Sequence, residues 1–174
     1  MQEISIRTKQ MLEFWSNPHG WAHEDAYEIL SKSRLDRQMA LTETLNIWIS
    51  ANKTGSEGEL ILAWVNLGSL VEGALKLFLC IYYDDYMKSV YKMKNWGKEI
   101  DPDSAMMEGL RKFYSAEGIL DTNWIQWIER IQSLRNSIHA YKDREIETFD
   151  SFYKELETYL EFLIHLASRV PYPY

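Results

Sequence analysis

Along most of the chain, apolar residues recur at alternating steps of three and four, which is the spacing of one face of an α-helix. The cleanest run is Leu60, Trp64, Leu67, Val71, Ala74, Phe78 and Ile81. It predicts a long central helix, opened by Ser56-Glu57-Gly58-Glu59 as a capping box in which Ser56 and Glu59 satisfy each other's free amides. Gly68 and Gly73 leave room for a neighbouring helix to come close. A second strict run, Phe149, Phe152, Leu156, Tyr159, Leu163, Leu166 and Val170, predicts the last helix over about 149–169.

Weaker patterns fill the rest. Ile4, Met11, Leu12 and Trp15 predict a short helix over 3–16, broken by Asn17-Pro18-His19-Gly20. Ala26, Ile29, Leu30, Leu41, Leu45, Trp48 and Ile49 predict one long helix over about 22–52 with a polar middle from Ser31 to Gln38. That middle reads as a solvated face; its sharper reading is a phosphate groove lined by Arg34 and Arg37. The central helix is expected to fray between Lys88 and Lys98. Asp101-Pro102 predicts a further helix start, with Pro at the first position. That helix spans about 103–116, packs through Met106, Leu110, Phe113 and Tyr114, and ends at Glu117-Gly118. Finally, Trp124, Trp127, Ile131, Leu134, Ile138 and Tyr141 predict a helix capped by Asp121 or Thr122 and closed by Lys142-Asp143-Arg144. The expected fold is all-α: one domain, residues 1–174, with two long antiparallel helices, the helix over 124–141 and a C-terminal helix.

Composition narrows the chemistry. With 46% hydrophobic and 14% aromatic residues, the chain can fill a core. The single Cys80 rules out an intrachain disulfide, and it sits in an apolar run as a small core residue. No CxxC or Cys/His cluster points to structural zinc, and no cofactor is implied. His19 and His23 share a helical spacing, but Pro18 and Gly20 surround the first, which predicts loop histidines. No signal pattern and no long uninterrupted apolar stretch is present, so a cytoplasmic protein without a membrane partner is expected. The net charge of −7 argues against broad non-specific nucleic-acid binding and leaves room for a local basic site.

One such segment runs from Arg130 to Arg144. Arg130, Arg135, Lys142 and Arg144 oppose the single acid Asp143, a local net of +3. Within it Arg135 and His139 are four residues apart, which on a helix separates them by about 40°. A permanent cation and a group titrating near neutral pH then face one small volume. Glu72 lies inside the apolar central run; it either pairs with Arg135 or His139, or faces solvent. Between Lys88 and Lys98 four lysines alternate with aromatics. The dipole of a helix C-terminus explains that run, and single-stranded RNA would also suit it. His165 flanks the last apolar stripe as a packed histidine. Pro171-Tyr172-Pro173-Tyr174 reads as an uncommitted tail.

Leu134-Arg135-Asn136 followed by Ile138-His139 resembles the signature of the HEPN superfamily, small helical domains many of which are metal-independent ribonucleases. Gly68-Ser69-Leu70-Val71-Glu72 resembles the acidic element that faces this motif. The spacer of three residues between Arg135 and His139 is shorter than the family's usual one. The resemblance implies a toxin or phage-defence ribonuclease, in which Arg135 and His139 are catalytic and Asn136, Glu72 and Tyr141 support them. Arg130, Lys142 and Arg144 would bind RNA. It further implies a homodimer joined across the motif and an antitoxin or nucleotidyltransferase partner. Tyr141, two residues past His139, would be the site that such a nucleotidyltransferase modifies. The alternatives are a HEPN module that binds RNA or nucleotide without cleavage, or a protein-interaction bundle in which Arg135 and His139 close a helix end.

Overall fold

Ser56 opens the central helix. Its hydroxyl accepts from the Glu59 amide and the Glu59 carboxylate accepts from the Ser56 amide. Helix α4 then runs from Glu57 to Ile81. The computed structural model describes residues 2–16, 24–50, 55–139, 141 and 143–170. Ahead of α4 come α1 (Gln2–Trp15), α2 (Glu24–Lys32) and α3 (Leu35–Ser50); after it come α5 (Tyr83–Lys88), a hairpin of β1 (Lys94–Asn95) and β2 (Lys98–Glu99), α6 (Met107–Ala116), α7 (Thr122–Arg135) and α8 (Phe149–Ala167). The described residues are thus mostly helical.

The apolar run of α4 is buried from Leu60 to Phe78, with Trp64, Leu67, Leu70, Val71 and Leu75 fully enclosed. Its neighbours are α7, α3, α8 and α2, while α1 closes over α3 and α8. Burying each large apolar side chain contributes about 1.5–3 kcal/mol, so this helix carries much of the core. By length and composition α4 could cross a membrane, but most of that stretch is buried against these neighbours. Gly68 and Gly73 of α4 act as expected. A Cβ on Gly68 would lie 2.7 Å from the Cβ of Arg135 on α7. Gly73 admits Gln38 of α3, which donates to the Leu70 carbonyl at 2.9 Å.

Four expectations need correction. The helix expected over 22–52 is two helices, so the bundle has one long central helix in place of two. Ser33 donates its hydroxyl to the Ile29 carbonyl, and the Arg34 guanidinium clasps the Asp36 carboxylate at 2.6 and 2.8 Å. These local bonds compete with the helical ladder and turn the chain between α2 and α3. They also occupy Arg34, which removes it from the phosphate groove. Beyond Tyr82 the central helix gives way to α5 and then, where fraying was expected, to the hairpin. Pro102 starts only a 3-10 turn, Pro102–Ser104, and α6 begins at Met107; Met106 is exposed, not packed. Helix α7 stops at Arg135, short of the expected end near 141. His19, His23 and the tail 171–174 lie outside the described residues. Cys80 is buried, and burial pushes its thiol up to about 12. His165 stacks on Trp124 at 5.6 Å, and burial beside Arg169 holds its imidazole below the ordinary value.

Candidate functional site

Helix α7 is capped by Asp121, whose carboxylate accepts from the Trp124 amide at 3.0 Å. It buries Trp127, Ile128, Ile131 and Leu134 against the core. At its far end, Ser137 donates its hydroxyl to the Leu134 carbonyl at 2.6 Å, and the chain tightens into a 3-10 turn, Asn136–Ile138. Asn136 is half-buried and caps the helix through its own amide, which donates to the Gln132 carbonyl. His139 follows with ψ 87°, outside helical geometry, and is exposed. Arg135 and His139 therefore do not share a helix face: Arg135 closes α7, and His139 stands on the turn beyond it. The Ser and Asn that shorten the helix were visible in the sequence, but the three-four apolar spacing continued through them.

The structure brings Glu72 and Arg135 together. Nη1 of Arg135 donates to Oε2 of Glu72 at 2.6 Å, with both side chains mostly shielded. The other carboxylate oxygen of Glu72 faces Nζ of Lys76 at 2.9 Å. One carboxylate therefore serves two cations, and the trio keeps a net positive charge. Among the described residues, Nε and Nη2 of Arg135 have no partner, so one edge of the planar guanidinium remains open. Gly68 makes this possible by letting the stem of Arg135 lie on α4. Lys76 was overlooked in the sequence, although its position four residues after Glu72 was the signal for it.

Arg130, expected to bind RNA, holds two carboxylates. Its Nη2 meets the Glu147 carboxylate at 2.6 Å and its Nη1 binds Glu155. The Glu155 carboxylate also accepts from Nε1 of Trp127 at 2.6 Å. Arg130 thus forms a structural clasp that ties α7 to α8. The two glutamates lie just past the window that gave the local positive charge. Glu155, set among the apolar residues of α8, was the detectable sign. Arg144 is half-buried, with its Nε enclosed and without a partner among the described residues. Lys142 lies outside the described residues. Tyr141 is fully exposed. Of the four basic residues, Arg130 and Arg135 are held by carboxylates among the described residues.

Comparison with protein-family models, curated proteins and solved structures gave no match.

What the site can do follows from its own geometry. A shielded carboxylate aims a guanidinium whose free edge can donate to a pair of phosphate oxygens. An exposed imidazole stands on the adjoining turn. Among the described residues no cluster of His, Cys, Asp and Glu could hold a metal ion.

Proposed function

We propose that the chain is a HEPN-type RNA-acting domain that cleaves RNA without metal. The observation that carries this reading is the guanidinium of Arg135, fixed by Glu72 across α4 and α7 with one edge open, immediately ahead of the exposed His139 turn. The motif resemblance supplies the reaction class. The 2′-hydroxyl of the RNA attacks the adjacent phosphorus, the bond to the 5′-oxygen breaks, and a 2′,3′-cyclic phosphate and a 5′-hydroxyl result. His139 takes the proton of the attacking hydroxyl, and Arg135 meets the charge that builds on the non-bridging oxygens. Two copies joined at the motif turns would supply a second His139 to protonate the leaving oxygen. Cytoplasmic RNA is the substrate class in this reading. An antitoxin or nucleotidyltransferase would act through the exposed Tyr141, where an added nucleotide phosphate would repel RNA.

The test is cleavage of labelled RNAs in EDTA, with resolution of cyclic phosphate ends. His139→Ala should lower the rate on the order of 10²–10⁴-fold with an unchanged melting curve, because the side chain packs against little. Arg135→Lys should also cleave poorly, since a point charge cannot offer the planar edge. Undiminished cleavage by His139→Ala removes this histidine from the chemistry. A second reading is favoured by one observation: the end of α7 at Arg135 parts the two motif residues. It is a module that binds RNA or nucleotide without cutting it, and wild-type binding without cleavage selects it.

A further inference from the structure

The segment after α5 carries a second surface. Strands β1 and β2 pair Lys94 with Glu99 and Asn95 with Lys98, and Trp96-Gly97 joins them. Both turn residues are left-handed, with φ 50° at Trp96 and φ 80° at Gly97. This is the backbone of a two-residue type I′ turn, which favours Asn or Asp followed by Gly. A bulky side chain at its first position is an outlier. Here that residue is Trp96, and it is 98% exposed. A strained backbone position holds an indole out in water, and such strain gathers at functional segments.

The surroundings have a matching character. A groove of about 540 Å³ lies between the hairpin and the length of α6, lined by Tyr91, Met93, Lys94, Ile100, Met106 and Phe113 among others. That volume is within the usual range for small-ligand clefts. Lys92 is paired with Glu99 at 2.9 Å and Lys112 with Glu108 at 3.1 Å. Lys88, Lys94 and Lys98 have no acidic partner among the described residues. The run from Lys88 to Lys98 thus sets four lysines beside Tyr91 and Trp96 with no acid between them.

We propose that the hairpin and its groove form a docking site for single-stranded nucleic acid. A base stacks on the indole of Trp96, its neighbour enters the groove beside Tyr91, and Lys88, Lys94 and Lys98 face the phosphates. A lipid surface fits less well: the tip offers a single large apolar side chain between two lysines, and the groove is concave. In naming RNA as the natural strand the proposal rests on the function proposed above; the docking itself stands on residues the cleavage site does not share.

The experiment uses a short, labelled oligothymidylate, which lacks the 2′-hydroxyl and survives any cleavage by the wild-type chain. Fluorescence anisotropy at low salt should give saturable binding that weakens with added salt. Trp96→Asn, which suits the turn, should lose affinity by roughly five- to a hundredfold while melting no lower than wild type. The Lys94→Gln, Lys98→Gln double variant should flatten the plot of log affinity against log salt by about 1.4. Absence of wild-type binding, or equal affinity of wild type and Trp96→Asn, overturns the proposal. So does Trp96-dependent binding to phosphatidylserine vesicles with no binding to the oligonucleotide. Loss of binding in Trp96→Asn together with failure of wild type to cut RNA leaves the docking site standing without the nuclease. His139-dependent cutting with binding indifferent to Trp96 leaves the nuclease without this site.

Discussion

Single side chains decide how the charges of this molecule are spent. Arg130 joins α7 to α8 by holding Glu147 and Glu155, and Glu147 sits at φ 59°, a left-handed conformation that a non-glycine residue adopts at some cost. The Arg130 hydrogen bond holds the Glu147 carboxyl below its ordinary value, against the opposing effect of burial. The folded chain therefore takes up this proton only at lower pH than the unfolded chain does. The stabilisation is present above about pH 4.3 and is lost as pH falls through the folded value. Melting temperature should accordingly drop on acidification below about pH 5, and the drop should be shallower in Glu147→Gln. At neutral pH that variant should cost about 1 kcal/mol or less, because the pair is partly solvated and Arg130 keeps Glu155. Identical pH profiles in thermal melts would deny Glu147 this role. Spacing, an apolar setting and the motif resemblance singled out Arg135, His139 and Glu72 in the sequence. The commitment of Arg130 was not legible, because its partners come from a loop and a helix that only tertiary folding brings near.

At the level of elements, periodicity predicted α1, α4 and α8 well, since each has one buried stripe and a clear start. It failed where short polar bonds overrule a continuing apolar pattern, at Ser33-Arg34 and again at Asn136-Ser137. It also read a lysine-rich hairpin as a frayed helix end, although Asn95-Trp96-Gly97 held the turn glycine. The α4–α7 contact offers the sharpest test of element packing. In Gly68→Ala the new methyl would lie within 3 Å of three carbons of the Arg135 stem, including its Cβ. The Cβ cannot swing aside, so α7 must move. The variant should lose about 1–3 kcal/mol in denaturant titrations. It should also weaken whatever activity depends on the Glu72–Arg135 pair. Unchanged stability would mean that α7 slides freely along α4, and Gly68 would lose its assigned purpose.

At the scale of the whole molecule, the motif turn presents Ile138, 47% exposed, beside the exposed His139 and Tyr141. A two-copy cleft would cover that face. Light scattering at tens of micromolar should give a dimer mass, and Ile138→Glu should give a monomer that melts like wild type. A wild-type monomer would leave His139 to act alone and would weigh against paired catalysis. The central position of α4 has one more consequence, which concerns time. The ribosome releases α4 well before α7 and α8, the helices that cover much of its apolar surface. Between the end of α4 at Ile81 and the end of α8 at Ala167 lie roughly 90 residues, or about 5–20 s of synthesis at common elongation rates. Throughout that interval the nascent chain displays its most apolar helix half-clad, so its yield in a cell should depend on what shelters that helix during translation.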